Sequence, residues 1–171
     1  MRKVFLVGAA ICAALVALDQ WLKGWTMQHL PGNPRVIVEG IFRLVYVENT
    51  GAAFGFLADF AGAQWLFAGL KILLLTGMAV YYFWLPYERL FWAVRVPLVA
   101  IFAGGVGNLI DRLRLGFVVD MFQVQFFNFP VFNLADVFVT VGVFALAFVM
   151  LFVVKDVPIP GGGVSAERES E

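Results

Sequence analysis

Apolar residues gather in four long runs, at about residues 4–22, 65–85, 96–113 and 132–154, while polar and charged positions concentrate between and just beyond them. A helix that crosses a bilayer needs about 20 mainly apolar residues, so each run has, or nearly has, the length of a transmembrane helix. The first run follows Arg2 and Lys3 and begins as a signal peptide would. It continues past signal-peptide length, has no convincing cleavage site and is followed by three more runs, so it reads as a retained helix.

The segments between the runs carry a second pattern. Residues 36–47 are rich in β-branched and aromatic side chains, which favour strands. Phe122-Gln123-Val124-Gln125-Phe126 alternates apolar and polar positions in strand rhythm. The expected fold is therefore an all-α polytopic membrane protein of four transmembrane helices, with a small extracytoplasmic β-sheet at the interface. That sheet should turn apolar residues to lipid and polar ones to any site. Pro86 closes the second run, Pro130 precedes the fourth, and Gly161-Gly162-Gly163 opens an acidic tail. The expected division is a four-helix domain over residues 1–157, with a β-rich extracytoplasmic loop at about 26–64, and a disordered cytoplasmic tail over 158–171.

Four spans put both termini on one side. Arg2, Lys3, Arg89, Arg95 and Lys155 then share that side, as the positive-inside rule expects of the cytoplasm. The other face carries Lys23, Arg35, Arg43, Arg112 and Arg114, so the charge bias is nearly balanced, and the Arg2–Lys3 pair weighs the orientation.

Composition narrows the chemistry. Hydrophobic residues make up 62% of the chain and charged residues 14%, and the net charge is zero, so nothing points to nucleic acid. The only serines are Ser165 and Ser170 in the tail, the only histidine is His29 and the only cysteine is Cys12, inside the first run. A Ser/His/Asp triad, a Cys/His pair and a zinc site of His and Cys ligands are thereby excluded, and Cys12 reads as an inert apolar thiol. Thr26, Thr50, Thr76 and Thr140 lack a histidine or terminal amine suited to activate them. No metal or cofactor is expected, and acid–base chemistry falls to carboxylates.

Ionisable residues in or beside a span are costly, and most of them fall in four clusters at one face. Asp19 and Lys23 end the first run four residues apart, on one helical face, as an ion pair or simply as a helix-end anchor. Asn49-Thr50-Gly51-Ala52-Ala53 places small residues around an amide, a tight turn that could approach a ligand or be only a turn. Gly104-Gly105-Val106-Gly107-Asn108-Leu109-Ile110-Asp111-Arg112 closes the third run; the glycines suit close helix packing and the arginine suits a carboxylate or carbonyls. Asp120 lies after Gly116, and Asn133 and Asp136 lie three apart at the start of the fourth run. Singly, Asp136 could be a helix-dipole partner, Asn133 an N-cap and Asp120 a loop residue. Together they bring two carboxylates to one face. Two close carboxyl groups share a proton, so one can take a proton from water while the other polarises a carbonyl.

These clusters, in order, resemble the motifs of the lipoprotein signal peptidase (type II signal peptidase) family: Asp19-x-x-x-Lys23; Asn49-Thr50-Gly51-Ala52-Ala53-Phe54-Gly55; Gly104-Gly105-x-Gly107-Asn108-Leu109-Ile110-Asp111-Arg112; Gly116-x-Val118-Val119-Asp120; and Phe132-Asn133-x-Ala135-Asp136. The resemblance covers the chain from the first run to the fourth. It implies an aspartic endopeptidase with Asp120 and Asp136 as the catalytic pair, cleaving diacylglyceryl-modified prolipoproteins N-terminal to the lipidated cysteine. It also implies that Asn49, Asn108, Arg112 and Asn133 shape the polar site, with Asp19 and Lys23 near it and Gly51, Gly104 and Gly107 in its framework. Membrane lipid and globomycin-type inhibitors are the other implied partners. The implied location is the bacterial cytoplasmic (inner) membrane, with the site near the extracytoplasmic face.

One residue departs from these motifs. Lys71 lies about a third of the way into the second run, where snorkelling to the interface is the expectation. The class alternatives are a small transporter or proton channel, a lipid- or helix-binding scaffold, and a prepilin peptidase. A relay would spread carboxylates over several depths, a scaffold leaves the convergence of Asp120 and Asp136 unexplained, and the prepilin peptidase pattern of a glycine-flanked aspartate is not matched.

Overall fold

The computed structural model describes residues 2–50, 63–86 and 89–154. In chain order it has α1 (Arg2–His29), β1 (Arg35–Val38), β2 (Phe42–Asn49), α2 (Ala63–Trp84), a 3-10 turn (Arg89–Phe91), α3 (Trp92–Leu115), β3 (Val118–Val124) and α4 (Leu134–Phe152). All four apolar runs are helical. Three of these helices, α1, α3 and α4, are long and apolar enough to cross a membrane; among the described residues, α2 contributes the shorter apolar stretch Gly69–Trp84. The tail expected to be disordered, and Gly51 with the rest of its small-residue motif up to Gly55, lie outside the described residues.

α3 is the central helix. Half of its apolar window is buried, against 11% for α1 and 17% for α4, and it packs on each of the other three helices. Glycines set its distance from α4. Gly104 faces the Ala135 carbonyl and Val139, and at the far end of the same antiparallel interface Gly142 of α4 faces Pro97 and Ile101. A side chain at Gly104 would collide with backbone, which cannot rotate aside. Gly104→Ala should therefore cost about 1–3 kcal/mol of stability by overpacking, read as a lower thermal unfolding midpoint in detergent. An unchanged midpoint would mean that the two helices have room to separate.

The end of the bundle opposite the sheet is closed by Leu85, Phe91, Val94, Leu98 and Val154. Arg95, counted by its sequence position among the charges of the cytoplasmic side, is fully buried here. It donates to the Leu85 and Pro86 carbonyls at 2.6 and 2.8 Å and lies over the Tyr82 ring. The carbonyls left over where α2 ends need donors, and Arg95 supplies them. An apolar cavity of about 620 Å³ opens between α1, α2 and α3, walled by small and aromatic residues such as Ala9, Ala13, Tyr82 and Phe102.

The strands form one antiparallel sheet in the order β1-β2-β3. The strand-rich stretch at 36–47 is a hairpin rather than one strand, turning at Gly40 with φ +68°, a backbone region that glycine enters freely. Val36, Ile37 and Val38 are all exposed, so the edge strand β1 is open on both faces, and with Ile41 it gives this edge of the sheet an apolar surface. Three boundaries differ from the sequence expectation, one of them the end of β3, at Val124 and not at Phe126. α1 continues to His29, so residues 26–29 belong to helix and not to the loop. β3 starts at Val118 and not at 122: Val118 to Met121 are buried on both faces, which leaves no apolar–polar alternation to read.

Candidate active site

The polar clusters converge where α1 ends, α3 ends and α4 begins. Asp19, Lys23 and Thr26 occupy one face of α1 at helical spacing, and each is buried. The expected Asp19–Lys23 ion pair is present at 2.9 Å, and Lys23 also pairs with Asp111 of α3 at 2.9 Å. The same ammonium donates to Asn108 Oδ1 at 2.9 Å, so its three N–H groups have three acceptors. Asp19 also accepts from the Ala135 backbone N–H at 2.9 Å, which places its charge at the N-terminus of α4. Gly107 allows this approach, since a Cβ there would stand 2.6 Å from Asp19 Oδ2.

Asn133 joins the two candidate catalytic carboxylates. Its side-chain oxygen accepts from the Asp136 N–H at 3.0 Å while its own N–H donates to Asp136 Oδ2 at 3.2 Å, a reciprocal capping box at the start of α4. Its amide nitrogen donates to Asp120 Oδ1 at 2.6 Å and to Asn108 Oδ1 at 3.1 Å. Asn108 Nδ2 donates to Asp136 Oδ1 at 2.8 Å. From the sheet, Asn49 Nδ2 donates to Asp120 Oδ2 at 2.8 Å. The sheet register explains that bond: Asn49 faces Val118 and Val47 faces Asp120, so Asn49 and Asp120 are diagonal neighbours across β2 and β3.

All four carboxylate oxygens of Asp120 and Asp136 thus accept from an amide. Burial pushes the Asp120 carboxyl above its ordinary range against the pull of the Asn49 and Asn133 amides, and the Asp136 carboxylate adds to the rise. Asp120 is 2% exposed, whereas Asp136 is partly open. Such a pair suits general acid–base chemistry on a water and a carbonyl.

Of the residues singled out from sequence, Asp19, Lys23, Asn49, Asn108, Asn133, Asp120 and Asp136 belong to this one network. Arg112 sits beside it, but its Nη1 atom is buried with no hydrogen-bond partner among the described residues. The carboxylate or carbonyl expected for that nitrogen is therefore not found there. Gln20 was not anticipated; it donates to Asp111 Oδ1 at 2.8 Å and to the Gly107 carbonyl at 3.2 Å. An amide inside an apolar run was the signal that could have marked it. Asp111 was noticed beside Arg112, but its partner proves to be Lys23, 88 positions earlier and invisible to helical spacing.

A helical protein of the membrane, with buried carboxylates and amides gathered beside a small sheet, has the framework of a membrane-embedded acid–base enzyme. The signal peptidase (SPase) II family matches residues 11–152, and the chain belongs to that family. It is 40% identical over 151 residues to the lipoprotein signal peptidase of Streptococcus thermophilus, covering 88% of this chain and 94% of the relative. Against the lipoprotein signal peptidase of Streptococcus pneumoniae the identity is 43% over 152 residues, covering 88% and 95%. Two solved structures, each described as a bacterial membrane enzyme, superpose with TM-scores of 0.75 and 0.72. They are 27% and 26% identical; the first covers 86% of this chain and 94% of the other, the second 96% and 94%. The sequence expectation of an aspartic signal peptidase stands, and the transport reading is not favoured.

Proposed function

We propose that Asp120 and Asp136 are the carboxylate pair with which this signal peptidase II works. The enzyme removes the signal peptide from prolipoproteins, cleaving N-terminal to a cysteine that carries a diacylglyceryl group. The observation that carries the assignment is Asn133, which holds both carboxylates at once. In the proposed reaction the ionised member takes a proton from water as the oxygen attacks the scissile carbonyl, and the protonated member hydrogen-bonds the carbonyl oxygen. Collapse of the tetrahedral intermediate breaks the C–N bond. A proton passes to the leaving amine of the cysteine, and the signal peptide departs with the new carboxyl group.

In the same reading α2 is the fourth span, residues 1–157 form the peptidase domain and 158–171 a cytoplasmic tail. Both termini face the cytoplasm, and the site lies near the extracytoplasmic face of the bacterial inner membrane. The exposed apolar residues of the sheet support a position against lipid. Asn49, Gly51, Asn108, Arg112 and Asn133 shape the substrate site, Asp19 and Lys23 brace it, and globomycin-type peptides would compete there. Arg112, with a buried N–H unspent, is suited to a substrate carbonyl. Arg112→Ala should lower kcat/KM about tenfold or more, the loss of one hydrogen bond to a charged group; unchanged kinetics would leave it an anchor.

The test is a gel-shift assay with purified protein in detergent. A diacylglyceryl-modified prolipoprotein should lose its signal peptide, and the unmodified precursor should stay intact. Retention of the signal peptide on the modified precursor would refute the proposed activity.

A further inference from the structure

Lys71 belongs to none of the family motifs quoted above, and its place in the bundle gives it a use. It shares a face of α2 with Leu75 and Met78, four and seven positions on, and that face is turned to α3. Leu75 is buried against Gly105, and Met78 packs on the cluster containing Leu98. With the two helices antiparallel in this register, Lys71 stands one turn along from the Leu75–Gly105 contact, at the level of Leu109 between Asn108 and Arg112. It is half-buried, and its charged neighbours are Arg112, Asp136 and Lys23. The helical face that carries Lys71 brings it to the level of the site.

The charges around Asp136 explain what it does there. Among the described residues, α1 brings Asp19 and Lys23, α3 brings Asp111 and Arg112, β3 brings Asp120 and α2 brings Lys71. Glu48 of β2 is exposed and bonded to Tyr46. Four carboxylates therefore stand against three cations. Lys23 is engaged by Asp19 and Asp111 and also acts on Asp120, while Lys71 is the cation of α2 that acts on Asp136. A poorly hydrated site favours neutrality, and this cluster is neutral when Asp120 and Asp136 share one proton. That is the state in which one member is a base and the other an acid.

We propose that Lys71 is a positioning residue whose ammonium sets the carboxylate pair to a single shared proton. Without it, neutrality calls for a second proton on the pair, which removes the base. This inference rests on the assignment of Asp120 and Asp136 as that pair.

The experiment is the pH dependence of kcat/KM on a diacylglyceryl-modified prolipoprotein. Losing a cation favours the protonated carboxyl, so Lys71→Met should move the acid limb to higher pH by about one pH unit. Activity should recover toward wild type above the displaced limb. Lys71→Gln should show the same displacement, and Lys71→Arg should keep the wild-type limb. An unmoved limb in Lys71→Met and Lys71→Gln, or an equal loss at every pH, overturns the proposal. Activity in Asp120→Asn or Asp136→Asn would instead strike at the pair itself, so the two failures are distinguishable.

Discussion

Asp120→Asn and Asp136→Asn should each reduce cleavage of a diacylglyceryl-modified prolipoprotein by about 10²–10⁴-fold, the contribution expected of a positioned acid–base group. The reason lies in proton bookkeeping. An asparagine can neither accept a proton from water nor carry one to the leaving amine, so either substitution leaves half a pair. Folding should survive, because an amide fills the same space and its oxygen can still accept from one of the two donors, at the cost of an N–H set against the other. The backbone N–H at position 136 keeps its own capping contact with the Asn133 side chain at the start of α4, and Asp120 sits in a strand paired to β2. The two variants should therefore elute as wild type in detergent while failing in the gel-shift assay. If either variant cleaves at the wild-type rate, that residue leaves the pair, whatever the fate of the other.

Lys23→Met should have the largest effect on stability, about 3–5 kcal/mol, the cost of stripping the partner from a buried charge. The lysine is 2% exposed and holds Asp19 and Asp111, each at 2.9 Å. Methionine would leave two carboxylates facing each other across an apolar side chain. For a chain of this size the loss corresponds to a fall of about 10 °C in the thermal midpoint. Adding Asp19→Asn and Asp111→Asn removes the orphaned charges, so the triple variant should regain much of the lost stability. A single variant as stable as wild type would show that water reaches the two aspartates; a triple variant no better than the single one would move the role of Lys23 from charge to shape. Activity should fall in both, since Asn108, which holds Asp136, is itself held by Lys23.

The motifs reached far beyond local structure because they carry a whole family's pattern, yet local reasoning and tertiary contact divided the work clearly. Asp19–Lys23 was readable because both residues belong to one helix and the period of 3.6 sets their spacing. The capping role weighed for Asn133 was readable for the same reason, and it proved to coexist with the bond to Asp120. The Lys23–Asp111 pair was not readable, nor was the reach of Gln20 to Asp111, since both depend on where α3 packs on α1. β3 was placed too late because strand rhythm vanishes when both faces are buried.

By itself, the sequence determined that long apolar helices and a β-rich segment would carry a carboxylate site, because hydrophobic length and residue scarcity are properties of the chain. It excluded serine, cysteine and histidine nucleophile chemistry by what it lacks. Tertiary structure alone decided which donors hold Asp120 and Asp136 and which cation Asp111 pairs with. Those outcomes follow from helix crossings and strand register between residues far apart in sequence, and no local period encodes them.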